Sequence, residues 1–152
     1  MSKILTIKDK KEEKILRRRS AEFNFKKIDQ KEIRVLIKKM RGAMEGANGI
    51  GLAANQIGLD MRVFVAQVEG KFYAVFNPEI IKTSKETDVA VEGCLSVPRI
   101  MDEVVRPYRI TLKGFDKAGK KITIRAWGHL ARVIQHEVDH LNGMLFIDHL
   151  KK

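Results

Sequence analysis

The chain has one cysteine, one tryptophan and three prolines in 152 residues. A single thiol cannot close an internal disulfide, so Cys94 is free for other chemistry and pairing leaves the redox compartment unconstrained. No apolar run approaches the ~18 residues that a membrane-spanning helix needs. The first thirty residues alternate charge with isolated aliphatics, unlike the core of a signal peptide. Internal repeats, low-complexity tracts and any RNA-binding pattern of interleaved basic and aromatic residues are also missing. These absences point to a cytoplasmic protein with no membrane segment and no specific nucleic-acid partner.

At 44% hydrophobic residues the chain can bury a real core, and residues 1–152 read as a single domain. Thirty Lys and Arg face nineteen Asp and Glu, a net charge of +11. That excess attracts polyanions over a Debye length at low salt. Two readings of it stay open, ordinary solubility and a transient ribosome contact through a basic surface.

Met1 to Lys27 carry little pattern: Ile4, Leu5, Ile7, Ile15 and Leu16 can anchor a short segment, and Lys8 to Lys14 and Arg17 to Arg19 read as solvated charge. Asp29 then opens a helix. Asp29 and Glu32 form a capping box, Ile28 and Ile33 occupy staple positions, and Ile33, Leu36, Ile37, Met40 and Met44 follow helical spacing toward an end near Gly46. Gly49 to Gly58 is a small-residue loop where backbone can approach another group closely. Arg62–Val68 and Lys71–Phe76, joined by Glu69-Gly70, read as a hairpin that Asn77-Pro78 interrupts. Tyr108–Phe115 and Lys121–Trp127 repeat the pattern around Asp116 to Gly119. Helices bracketing short antiparallel strands make the fold class α+β.

The most informative stretch is Gln135-His136-Glu137-Val138-Asp139-His140-Leu141-Asn142-Gly143. Histidines four apart stack on one helical face and can hold one divalent cation. Leu130, Val133, Ile134 and Leu141 make an apolar stripe, and Glu137 falls in its middle, where a carboxylate must be buried, paired or working. Arg132, Gln135, Asp139 and Asn142 gather on the opposite face, expected toward solvent. The competing reading is two chance histidines on a core helix.

Catalytic sites of this kind usually take three protein ligands and keep one position open. Only Asp148 and His149 follow His140 as candidates. Upstream, Glu92-Gly93-Cys94-Leu95-Ser96-Val97-Pro98 holds the lone cysteine behind a flexible glycine. A lone cysteine is also commonly a small buried hydrophobe. Two alternatives therefore stand at this point, a small metallopeptidase with a different third ligand and a non-enzymatic ribosome-associated domain.

Gly49 to Gln56, Glu92 to Pro98 and Gln135 to Gly143 together resemble, in order and separation, the three signature motifs of peptide deformylase. The resemblance runs from roughly Met40 to Leu150 and takes in Arg106-Pro107 and the Asp116 to Gly119 turn. In the opening segment the family's proline-aspartate step is replaced by Lys8-Asp9-Lys10-Lys11 before Leu16-Arg17. The likeness implies hydrolysis of the formyl group from the N-terminal methionine of nascent polypeptides, with N-formylmethionyl chains as substrate. It also implies antiparallel β-sheets packed around a C-terminal metal-binding helix carrying the two histidines, with an N-terminal helix.

By the same resemblance, Cys94, His136 and His140 are the metal ligands, Glu137 is the acid and base, and Gln56 with the backbone N–H of Leu95 faces the developing oxyanion. Ile50, Gly51 and Val133 line the methionine pocket, and Glu92 pairs with Arg106. The cofactor expected is one divalent metal ion, iron(II) first, with nickel, cobalt or zinc as substitutes.

Overall fold

Two aspartates set the helical starts in the computed structural model, which describes residues 2–150. Asp9 accepts hydrogen bonds from the Lys11 and Glu12 amides and opens α1 (Lys10–Leu16). Asp29 opens α2 (Gln30–Gly46) with the expected capping box. Ile33, Leu36, Met40 and Met44 are buried along one face of α2, as their spacing predicts. The short helix α1 was not legible in the charged opening segment. It is pinned by fully buried Leu16 and by the Arg17–Asp148 ion pair at 2.6 Å, so the altered opening still packs.

The strands follow as β1 (Gly51–Ala53), β2 (Val63–Val68), β3 (Lys71–Thr83), β4 (Thr87–Cys94), β5 (Val97–Pro107), β6 (Arg109–Phe115) and β7 (Lys121–Trp127). Five form an antiparallel sheet in the order β1-β2-β3-β6-β7, and β4 pairs only with β5. Glu69 and Gly70 both have positive φ, the geometry of a type I′ turn, which fixes Val68 opposite Lys71. Asn77-Pro78 does not end its strand as expected. β3 continues to Thr83 through a register shift after Phe76, and Asn77 holds its left-handed φ of 49° by bonding Phe23 N–H and C=O at 2.7 and 3.0 Å.

The β2 run Val-Phe-Val-Ala is buried on both sides because the sheet lies between two helices. Phe64 and Ala66 join the core shared with α3 (Gly128–Leu141), and Val63 and Val65 join the core under α2. A third cluster of Val97, Val104, Leu145 and Phe146 seats the β4–β5 hairpin on the segment after α3.

Candidate active site

Helix α3 keeps the apolar stripe of the sequence reading, with Val133, Ile134, Leu141 and Glu137 all buried. The expected solvent face is a different matter: Arg132 and Gln135 are buried, Asp139 is half-buried and only Asn142 is exposed. The β4–β5 hairpin lies over that face, and its backbone receives the polar groups. Gln135 Nε2 donates to Pro107 C=O at 3.0 Å, and Arg132 donates to the carbonyls of Val104 and Asp88 at 2.9 and 3.0 Å. At the other end, the last carbonyls of α3 are satisfied by side chains. Asn55 Nδ2 donates to His140 C=O at 2.7 Å and Arg62 Nη1 to Leu141 C=O at 2.8 Å.

α3 and the end of β4 bring Cys94 Sγ and the ring nitrogens of His136 and His140 within 4.8 Å of one another. Cys94 Sγ lies 3.2 Å from His140 Nε2, which lies 3.3 Å from His136 Nε2. A tetrahedral ion with bonds of about 2.0–2.3 Å to nitrogen and sulfur separates its ligands by roughly 3.3–3.6 Å. The donor set therefore fits one small divalent cation. Asp148 and His149 are engaged elsewhere, with Arg17 and Asp139.

Glu92 organises the ring of His136. Its Oε1 accepts from His136 Nδ1 and Arg106 Nη2, both at 2.9 Å, and its Oε2 from Arg106 Nε and Arg132 Nη1, both at 2.6 Å. Four donors saturate one buried carboxylate. Burial alone would raise the Glu92 pKa, but the His136 and Arg106 bonds and charges outweigh it and hold the group well below the usual carboxylate range. His136 Nδ1 is thereby fixed as a donor and Nε2 is aimed at Cys94 and His140. Burial would lower His136, yet bonds to Cys94 and Glu92 and the Glu137 charge raise it to about 10, so Nε2 sits in a field that favours a cation. His140 is held well below 6.5, chiefly by burial, which keeps its ring neutral and able to ligate. Phe146 stacks on the His136 ring at 6.2 Å between centroids.

Glu137 has the opposite setting. Burial first, then the Glu92 and Asp139 charges, against the pull of His136 and Arg106, raise it to about 7. Its Oε1 is buried without a protein hydrogen-bond partner. Gly51 packs directly on the carboxylate, and a Cβ there would overlap Glu137 Oε2. The small residue at 51 is required by its close approach to the Glu137 carboxylate.

Gln56 is buried on the 3-10 turn Ala54–Ile57. Its Oε1 accepts from Ala53 N–H at 3.0 Å, and its Nε2 donates to Ser96 Oγ at 3.0 Å and lies 3.8 Å from Cys94 Sγ. The Ser96 N–H also points at that sulfur, at 3.4 Å. Gln56 and Leu95 share a cleft of about 680 Å³ with Ile50, Gly51, Val133 and Glu137. All nine expected site residues thus meet in one place. Arg132, Asp139 and Ser96 were missed. For Arg132 a signal existed, since it precedes His136 by four residues and shares the stripe of the two histidines.

A family model for polypeptide deformylase matches residues 1–152. The chain is similar to the peptide deformylase of Treponema pallidum (strain Nichols), 47% identical over 119 residues that span 78% of this chain and 74% of that one. It is 48% identical over 113 residues to the peptide deformylase of Carboxydothermus hydrogenoformans, across 74% of each chain. Its fold is similar to the crystal structure of peptide deformylase from Thermotoga maritima, with a TM-score of 0.90 and 38% identity over 100% of this chain and 99% of that one. A probable peptide deformylase from Synechococcus phage S-SSM7 gives a TM-score of 0.87 and 42% identity over 99% and 100% of the two chains.

Proposed function

The chain belongs to the polypeptide deformylase family, and on that premise we propose that Cys94, His136 and His140 hold its divalent metal ion and that Glu137, Gln56 and Leu95 carry the chemistry. The protein is a metal-dependent hydrolase that removes the N-formyl group from the N-terminal methionine of nascent polypeptides. The observation that carries the assignment of roles is the convergence of three donor atoms beside a buried, unpartnered carboxylate.

When bound, the cation supplies Lewis acidity, making water acidic enough to attack near neutral pH. Glu137 takes the proton of the attacking water at its carboxylate and returns it to the amine nitrogen as the formyl C–N bond breaks, releasing formate and a free N-terminus. A buried carboxyl group with one oxygen free of protein partners can do both within one turnover. The Gln56 amide and the Leu95 backbone N–H donate to the formyl oxygen as it gains charge, and bonds from Ala53 N–H and to Ser96 Oγ hold the Gln56 amide in place beforehand. Ile50, Gly51 and Val133 receive the methionine side chain, and residues 1–152 work as one catalytic unit.

One thiolate and two imidazoles accept several divalent metals, and raw affinity favours nickel, copper or zinc over iron. Iron(II) is our assignment for the native ion, with nickel, cobalt or zinc as substitutes. An iron(II) ion held by Cys94 would be open to oxidation by oxygen, with the Cys94 sulfur at risk beside it. Protein prepared without oxygen should contain one metal per chain, deformylate a formylmethionyl peptide, and lose that activity in air within minutes to hours, whereas nickel-loaded protein should remain active. Equal turnover by zinc and iron forms with no air sensitivity would reject iron. No helix among the described residues is long and apolar enough to cross a membrane. We place the reaction in the cytoplasm, with the basic surface making a transient contact with the ribosome.

A further inference from the structure

Among the described residues, four other than glycine have left-handed φ values: Asn48, Glu69, Asn77 and Arg99. Three have local reasons. Asn48 follows the end of α2, where asparagine is a common second choice to glycine. Glu69 belongs to the type I′ turn, and Asn77 is held by its bonds to Phe23. Arg99, at φ 67°, has neither a turn partner nor a side-chain hydrogen bond among the described residues. A long cation in this region is uncommon.

The register explains where it stands. Gly93 pairs with Met101 and Cys94 with Val97, so Pro98, Arg99 and Ile100 bulge from β5 with no residue opposite them. Bulges beside active sites re-aim side chains. This one presents Arg99, exposed, at the wall of the same cleft that holds Glu137 and Gln56. The other charges there are engaged or deep. Glu92 and Arg132 are bound to each other and Arg132 also to Asp88, and Glu137 lies buried at the base. His129 lines the rim, and on the hairpin Asp102 caps the Glu103 amide. Arg99 forms no ion pair among the described residues. A cleft of about 680 Å³ lies within the ~300–1,000 Å³ of sites that enclose a drug-sized ligand, which is room for a short peptide beyond its first side chain.

We propose that Arg99 is a specificity-determining residue that favours formylmethionyl chains with an acidic side chain in the first residues after methionine. The inference rests on the cleft being the substrate site, as proposed above. The bulge spends backbone strain to hold an unpaired guanidinium at the wall of the cleft, and a carboxylate is the group it can bind through two parallel N–H donors.

The test measures kcat/KM of the metal-loaded protein on matched formyl-Met-Ala peptides with Asp, Gln or Lys as the third residue, and on a second set with the same residues in second place. The acidic peptide should exceed the basic one by about 3- to 10-fold at low ionic strength in at least one set, and the ratio should shrink with added salt, as for an exposed pair. Arg99→Gly should bring the ratio close to one and Arg99→Glu should invert it. Glycine is at ease at this φ, so Arg99→Gly should unfold at a temperature no lower than the parent protein. Lys31→Ala removes one positive charge at the far end of α2 and should leave the ratio as it was. A ratio near one in the parent protein, a full ratio in Arg99→Gly, or an equal fall in Lys31→Ala each overturns the inference while leaving deformylation intact. Failure to deformylate any peptide in either set would instead remove the substrate-site reading, and the inference with it.

Discussion

Helix α3 and the β4–β5 hairpin both bring a candidate metal donor to the site, yet the helix packs on the sheet through apolar residues and the hairpin packs on the helix through charges. α3 sets Val133, Ile134, Val138 and Leu141 against the five-stranded sheet. The hairpin turns Asp88, Glu92 and Arg106 toward α3, while Val89, Val91 and Val105 of the same strands stand exposed. Non-directional burial tolerates small shifts, and short hydrogen-bonded ion pairs do not. The hairpin's position over His136 is thus set by directional bonds, and the helix beneath it by area removed from water.

That contrast can be broken from either side. The largest effect is expected at Glu137. Glu137→Gln should keep its metal and lose activity by roughly 10²–10⁴, the usual contribution of a positioned acid and base. The same variant should gain stability when metal-free. The Glu137 pKa is raised from 4.5 to about 7, so between those pH values the folded chain holds a proton that the unfolded chain releases. Stability therefore falls as pH rises through that window, and thermal unfolding of the apo-variant should lack this slope. Activity within about tenfold of the parent would remove Glu137 from its role.

Next comes the ion-pair side. Arg132→Met leaves Glu92 with one arginine fewer in a buried site, a change expected to cost about 3 kcal/mol or more. Ile134→Val on the same helix should cost only about 0.5–1.5 kcal/mol. Denaturant unfolding of the two variants compares charge with area directly. Metal affinity measured by chelator competition should fall about 10- to 100-fold in Arg132→Met, because His136 loses its fixed orientation. Equal stability losses would show that the hairpin is seated by the Val97, Val104, Leu145 and Phe146 cluster instead.

A smaller effect on rate is expected at Gln56. Gln56→Ala should lower kcat by about 10²–10³ with metal retained, the cost of one oxyanion donor. An unchanged kcat would mean that Gln56 only braces Ser96 and Cys94.

The mildest prediction concerns acid. The Glu92 pKa is depressed on folding, so its stabilisation is complete above the unfolded value near 4.5 and is lost as pH falls below it. Glu92→Gln should start less stable at neutral pH and lose less on acidification. Parallel acid limbs in the variant and the parent would show that the network does not titrate as described.

The same contrast explains what could be read from the sequence. α2, α3 and the two hairpins around Glu69-Gly70 and Asp116 to Gly119 follow local rules of capping, period and turn chemistry, and their residues carry those signals. The β4–β5 hairpin inverts the usual alternation: Val89 and Val91 point out while Asp88 and Glu92 point in, so hydrophobic patterning gives no sign of which face is core. Arg132 and Gln135 were assigned to solvent for the same reason, since their cover comes from strands about thirty to forty residues away in sequence. Helix α1 went unseen because one leucine and one ion pair anchor it. The residues of the candidate site could be named from motif spacing, and the resemblance implied the Glu92–Arg106 pair; Arg132 and Asp139 read as solvent-facing because the hairpin that covers them lies far away in sequence.

The opening segment reaches the cleft from behind. Leu5 N–H donates to Gln56 C=O at 2.8 Å and Ile7 N–H to Ser96 C=O at 3.0 Å, so one short stretch fastens both loops that flank Cys94. Those two amides exchange with solvent only when the clasp opens. Their protection factors are therefore a direct gauge of how often the assembled cleft comes apart in the native ensemble, a quantity that activity averaged over many molecules does not resolve.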